Sequence, residues 1–310
     1  MSASKGLRQQ FADTLLEVGR KNNKFVVMVG DISHGILKPF AKENPDRYYN
    51  VGICEPTIVS MAAGLSQAGL YPVVHTIAPF LIERSYEQIK LDFGYQKLSA
   101  TLVSVGGSFD YSQLGCSHHC YTDVSLMSHL YRANVVVPGT AAEFDILFQQ
   151  AFSTDSINYF RLPDNPHGVK IADDLISLGK AVKINHGEDV TLVTMGSHLA
   201  TTIDAAAELA GQGISAEILY YPTLKPFDRD SLAESVKKTR KILTIEELSA
   251  HDGIFNQALQ SCREIPDVRY QQIAVEDFVH GYGNFEFMCE QVGLTIENIV
   301  CKARSLMALQ

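Results

Sequence analysis

Phe25-Val26-Val27-Met28-Val29-Gly30-Asp31 sets five consecutive apolar residues against a glycine and an acid. A run this short, rich in β-branched residues, predicts a strand buried on both faces, as in the interior of a parallel sheet. Before it, Leu7, Phe11, Leu15 and Val18 recur at helical spacing and stop at Lys21-Asn22-Asn23. The alternation continues down the chain: strands at 48–51, 71–75, 101–105, 134–137 and 157–161, with helices over 56–68, 80–92, 122–131 and 141–152 between them. Strands separated by helices of ten or more residues imply βαβ units and a mainly parallel sheet.

Around Leu162-Pro163-Asp164-Asn165-Pro166-His167-Gly168 the turn residues thicken, and a second series follows. It predicts strands at 189–195, 215–220, 241–246 and 270–275, and helices over 199–211, 229–238, 252–263 and 295–308. The expectation is an α/β protein of two domains, 1–166 and 187–310, joined by a linker over 167–186. The length of 310 residues suits two such units.

Composition narrows the function classes. Apolar residues make up 46% and charged residues 20%, with mean hydropathy +0.00, so the chain can fill a core. Lys+Arg 26 against Asp+Glu 35 gives a net charge of -9, which makes a poor polyanion binder, and no nucleic-acid partner is expected. No apolar run approaches the roughly 18 residues that a membrane span needs. Met1-Ser2-Ala3-Ser4-Lys5-Gly6 reads as the lead into an amphipathic helix and not as a signal peptide. Six cysteines, irregularly spaced, do not form a disulfide framework, and a cytoplasmic protein with reduced thiols is expected.

In open α/β sheets, sites collect at the carboxyl ends of strands. Asp31 follows the first strand directly and is either a turn or cap residue or a site acid. Glu55, in Val51-Gly52-Ile53-Cys54-Glu55-Pro56, stands between a glycine-led strand end and an apolar helix. It is either a helix-capping carboxylate or, being poorly solvated there, a candidate acid or base. Phe80, in Thr76-Ile77-Ala78-Pro79-Phe80, is either core or a ring at the site. Gly115-Cys116-Ser117-His118-His119-Cys120 crowds two cysteines and two histidines, but the spacing does not suit zinc, which draws ligand pairs from separate segments. A loop offering His118 or His119 as a proton carrier or hydrogen-bond donor fits better. The sequence has no GxGxxG after the first strand, no P-loop, no GxSxG and no HExxH.

Taken together these residues resemble the C-terminal half of a transketolase. The resemblance rests on Gly52-Ile53-Cys54-Glu55 before Met61-Ala62-Ala63-Gly64-Leu65, on Thr76-Ile77-Ala78-Pro79-Phe80 running to Arg84-Ser85-Tyr86-Glu87-Gln88, and on Gly115-Cys116-Ser117-His118. Asp189 to Ser197 and Ile245-Glu246-Glu247 are similar to the family's C-terminal domain. The resemblance implies thiamine diphosphate as cofactor. Glu55 would hold N1′ of its aminopyrimidine and prepare thiazolium C2 for loss of its proton. Phe80 would stack on that ring, beside Ile77 and Asp31, and His118, with its neighbour His119, would meet the sugar. Arg8 matches an arginine used on a substrate phosphate.

Three departures stand out: Ile77 replaces an aromatic, Gly106 replaces a loop histidine, and Asp164 stands where a second arginine is expected. Either Asp164 alters the substrate end or it caps a turn while Arg161 or His167 supplies the cation. The family's diphosphate–metal segment, Gly-Asp-Gly, does not occur. The resemblance therefore implies one subunit of a split enzyme, with no metal ligands of its own. A partner chain, in an α2β2 heterotetramer, would hold the diphosphate with Mg²⁺ or Ca²⁺. The alternatives are a β subunit of a 2-oxo-acid dehydrogenase or a deoxyxylulose-phosphate-synthase-like enzyme, and a non-catalytic regulatory homologue.

Overall fold

The computed structural model describes residues 6–152 and 154–308; the reading of the first five residues as a non-secretory lead lies outside them. The first half runs α1 (Leu7–Lys21), β1 (Phe25–Val29), α2 (His34–Glu43), β2 (Tyr48–Asn50), α3 (Glu55–Gln67), β3 (Tyr71–Ile77), α4 (Tyr86–Gln88), β4 (Ala100–Val105), α5 (Asp123–Ser128), β5 (Ala133–Val136), α6 (Ala141–Phe152) and β6 (Ile157–Leu162). The second runs β7 (Val182–Asn185), β8 (Val190–Thr194), α7 (Leu199–Gly211), β9 (Ala216–Tyr220), β10 (Thr223–Lys225), α8 (Arg229–Thr239), β11 (Lys241–Ser249), α9 (Ile254–Cys262), β12 (Arg269–Val275), α10 (Phe285–Gln291) and α11 (Ile296–Ala308).

These strands form two sheets, one of seven in the order β10-β5-β6-β4-β3-β1-β2 and one of five in the order β12-β11-β8-β9-β7. Every pairing is parallel except β10 with β5 and β7 with β9, both at sheet edges. β1 shows why the apolar run was needed: Val26 and Met28 enter one apolar cluster, while Phe25, Val27 and Val29 enter another on the opposite face. The first cluster continues without a break into the second half, through Val193, Leu219, Leu224 and Leu232.

The structure departs from the sequence reading in four places. The stretch 167–186, expected as a linker, contains β7, which pairs with β9 in the second sheet. β10, from the second half, adds an edge strand to the first sheet. α2 and α10 were not anticipated; α2 carries Gly35 and Pro39 inside ten residues, which hides a helix from any periodicity argument. The helix expected over 80–92 is instead two wide π-type segments, Pro79–Glu83 and Ile89–Tyr95, on either side of α4.

Candidate active site

Gly52, at φ +81, turns the chain after β2 in a conformation that suits glycine, and Glu55 then opens α3. Its carboxylate is 2% exposed, and a charge so buried needs a partner. Arg84 provides one: its Nη1 donates to Glu55 Oε2 at 2.9 Å. The same guanidinium lies 4.2 Å from the centroid of the Phe80 ring, a cation–π contact. The π-type turn places it there, with the Arg84 amide bonded to the Pro79 carbonyl at 3.0 Å. Ile77 ends β3, half-buried.

His118 joins the site through the loop after β4. Its ring stands edge-on to Phe80 at 5.1 Å and to Tyr111 at 6.4 Å, while Ser117 Oγ lies 3.1 Å from its Nδ1. His119 turns the other way, buried edge-on against Phe109 at 5.5 Å, and burial lowers its basicity. The loop thus brings one histidine to Phe80 and keeps the other inside.

At the carboxyl end of β1, Asp31 takes a positive φ of 56 and exchanges bonds with Asn50: its amide donates to Oδ1 and its Oδ1 accepts from Nδ2, both at 3.1 Å. His34 Nε2 lies 2.9 Å from the same oxygen, and the bonds from Asn50 and then His34 hold the Asp31 pKa below its ordinary value. Arg8 donates from Nη2 to Ser33 Oγ at 2.9 Å, and Ser33 Oγ lies 2.8 Å from His75 Nε2. His75 is fully buried, with Nδ1 2.9 Å from the Val103 carbonyl. Burial pushes its pKa down to about 4, the Val103 bond opposing and the Arg8 charge adding to the fall. A neutral ring with its proton on Nδ1 satisfies every contact: Nδ1–H donates to Val103 and Nε2 accepts from Ser33.

Desolvation raises the pKa of the exposed Asp164, and the Arg8 charge opposes the rise. The Asp164 amide and Asn165 Nδ2 both donate to the Asp110 carboxylate at 3.1 Å, which fixes this turn. Gly106 has φ +74, and a Cβ there would lie 2.3 Å from the Tyr111 ring, so Tyr111 fills the space a side chain at that position would use.

Neither cation considered as a substitute is free to act as one. Arg161 is 1% exposed and paired with Asp123 at 3.0 Å and Glu247 at 2.7 Å, and it donates to Ser108 Oγ as well. His167 is buried 3.0 Å from Glu143.

The sequence reading singled out Glu55, Phe80, His118, Arg8, Asp31 and Asp164; it did not anticipate the contacts that Arg84 makes with Glu55 and Phe80, Ser33 with Arg8 and His75, and Tyr111 with His118. Arg84 carried a usable signal, since it follows Phe80 by four residues in one helical stretch. Ser33 and His75 carried none, because their partners lie in separate elements, and Tyr111 meets His118 only through the folding of the loop after β4.

A mainly parallel pair of α/β sheets with a buried helix-opening glutamate beside an aromatic ring matches known proteins. The family model described as the transketolase pyrimidine binding domain matches residues 4–166, and that of the transketolase C-terminal domain matches residues 179–299. The chain belongs to the transketolase family. It is 32% identical over 97% of its length to the 6-deoxy-6-sulfo-D-fructose transketolase subunit SqwH of Clostridium sp. (strain MSTE9), covering 94% of that protein. It is 31% identical to an apulose-4-phosphate transketolase subunit of Phocaeicola vulgatus, covering 95% of each. Among solved structures it is similar to a split gene transketolase described as an inactive beta4 tetramer, at TM-score 0.88 and 28% identity over 99% of both chains.

Family membership implies dependence on thiamine diphosphate. The residues present fit one end of it. A buried carboxylate and an adjacent aromatic face suit a flat heterocycle that offers a ring nitrogen to hydrogen-bond. Among the described residues no group of three His, Cys, Asp or Glu is disposed to hold a metal ion. None of their helices is long and apolar enough to cross a membrane.

Proposed function

We propose that this chain is one subunit of a split transketolase that moves a two-carbon ketol unit between sugars in the cytoplasm. The observation that carries the reading is the buried Glu55 carboxylate at the start of α3, joined to the Phe80 ring through the Arg84 guanidinium, in a chain with no Gly-Asp-Gly segment. The full-length similarity to transketolase subunits supports it. A partner chain with the N-terminal transketolase half supplies the diphosphate and Mg²⁺ or Ca²⁺ site, and two copies of each make an α2β2 assembly.

Thiamine diphosphate, when bound, supplies a nucleophilic carbon that accepts the ketol unit. Glu55 would hold the aminopyrimidine ring nitrogen by a hydrogen bond at its buried carboxyl group, whose Oε2 Arg84 engages. Phe80 offers the stacking face, and Ile77 and Asp31 bound the same end of the strands. His118, held near Phe80 and Tyr111, presents a ring nitrogen to the sugar's hydroxyl and carbonyl oxygens, orienting the donor and carrying protons at that oxygen. Arg8, tied to the buried His75 through Ser33, would meet the far end of the substrate.

Co-expression with a Gly-Asp-Gly-bearing partner and a pull-down test the assembly, followed by an assay of ketol transfer from a ketose to an aldose. Transfer by the complex is the expected result. A complex that consumes pyruvate and no ketose would assign the decarboxylating chemistry instead.

A further inference from the structure

The loop that carries His118 is pinned at its base. Ser108 and Cys120 exchange both backbone bonds, at 2.6 and 3.0 Å, and so close residues 109–119 between fixed ends. Ser108 is fully buried at a φ of 43, a left-handed conformation that strains a residue with a side chain and persists only where the surroundings impose it. Arg161, on β6, is what surrounds it. Its Nη2 donates to Ser108 Oγ and, at 3.3 Å, to the Cys120 carbonyl, so that one guanidinium grips both ends of the loop. Gly107 lies against the same group: a Cβ there would come 2.3 Å from Arg161 Nε. The guanidinium is in turn fixed by Asp123 at the start of α5, at 3.0 Å, and by Glu247 on β11, at 2.7 Å. The second half of the chain adds contacts of its own. The Glu247 carbonyl accepts from Ser108 Oγ, the Ser249 amide donates to the Tyr121 carbonyl at 2.9 Å, and Ser112 Oγ donates to the Gly283 carbonyl at 2.7 Å. Phe109 is buried with Val275 and Met288.

We propose that Arg161 is a positioning residue for ketol transfer: it ties the His118 loop to Glu247, and through it the second half of the chain sets where His118 meets the donor sugar. The proposal rests on the reading of His118 as the sugar-contacting residue of a split transketolase and adds the group that places it. A guanidinium is a planar fork whose donors point in fixed directions, so two carboxylates on one side settle where the loop must sit on the other. Lysine would keep the charge between Asp123 and Glu247 and lose that fork. A loop anchored in this way is already ordered when substrate arrives, and a shift of about an ångström in a positioned group is enough to slow a reaction by roughly a hundredfold. The cofactor end is held separately, since Glu55 takes Arg84 from the turn that starts at Pro79.

The test is a double-mutant cycle in the assembled two-subunit enzyme, with Arg161→Lys and His118→Ala made singly and together. Ketol transfer is assayed with fructose, fructose 6-phosphate and xylulose 5-phosphate, and the donor that the unaltered complex uses best is carried through the cycle. Arg161→Lys should lower kcat/KM by roughly tenfold or more while the dissociation constant of thiamine diphosphate stays unchanged. In the His118→Ala background the same substitution should change the residual transfer by less than about twofold, because a group that acts through His118 has nothing left to place. Ser108→Ala leaves both ion pairs intact and removes only the hydroxyl between the guanidinium and the Glu247 carbonyl. It should give the same pattern in smaller measure, and if Arg161→Lys fails to assemble it is judged by the same two results. An unaltered kcat/KM in the folded variant, or a loss as large without His118 as with it, overturns the proposal and leaves the split-transketolase reading standing. No transfer from any of the three donors by the unaltered complex overturns both.

Discussion

Glu55 owes its isolation from water to the start of α3 and its ion-pair partner Arg84 to a turn that begins some twenty-five residues later, at Pro79. Glu55→Gln keeps the shape and loses the shared proton. In the assembled enzyme turnover should fall by roughly two to four orders of magnitude, the usual worth of a positioned acid or base, with thermal unfolding little changed. Normal turnover by this variant would reduce Glu55 to a helix cap. Phe80→Ala should act on affinity: losing one ring stack and its buried area should weaken cofactor binding by roughly 1–3 kcal/mol in a titration of the complex. Both residues were legible because each stands alone at a strand–helix junction, where local sequence declares the odd residue. Arg161 was not. Its partners Asp123 and Glu247 lie in other elements, Glu247 being 86 residues away, and no local pattern marks a buried ion pair.

The strands buried on both faces of a sheet were legible from composition, since β1 is apolar at all five positions and β4 at four of six. Elements that escaped were short, polar or wide-turned. β10 has three residues and pairs antiparallel with β5, so nothing near it in sequence foretells its place. Its Lys225 is half-buried, and Nζ donates to the Ser128 carbonyl at 2.8 Å and also to the Leu130 carbonyl just past α5. Burial lowers the Lys225 pKa, so these carbonyls are what hold the ammonium in place. Lys225→Ala should lower stability by about 1–3 kcal/mol, the range for hydrogen bonds to a charged group, read as an earlier denaturant midpoint. An unchanged midpoint would mean that β10 is held by its strand pairing alone.

At the scale of the molecule, the two sheets are joined by charge as well as by the continuous apolar cluster. Arg161, at the end of the first sheet, reaches Glu247 on β11, and His198 Nε2 lies 3.2 Å from the other oxygen of Glu247. Such pairs specify how the halves meet more than they add to stability, since removing one partner strands a buried charge. His75 makes the whole fold sensitive to acid. Its pKa lies at about 4 in the fold against the usual 6.5, so the neutral ring is favoured by folding. That contribution is complete above pH 6.5 and is lost as pH falls from there toward 4, a loss of about 3 kcal/mol from this group. His75→Gln should remove that part of the slope from a plot of unfolding free energy against pH; an identical slope in both proteins would contradict the assignment.

The central claim is that this chain carries the aminopyrimidine end of the site and depends on another chain for the diphosphate end. A buried diphosphate needs a metal and fixed donors to offset its charge, and among the described residues no such metal-binding group exists. Calorimetric titration of the isolated chain with thiamine diphosphate and Mg²⁺ measures this directly. The account predicts no saturable heat in the micromolar range from the chain alone and tight binding once the partner is added; micromolar binding without the partner would contradict it.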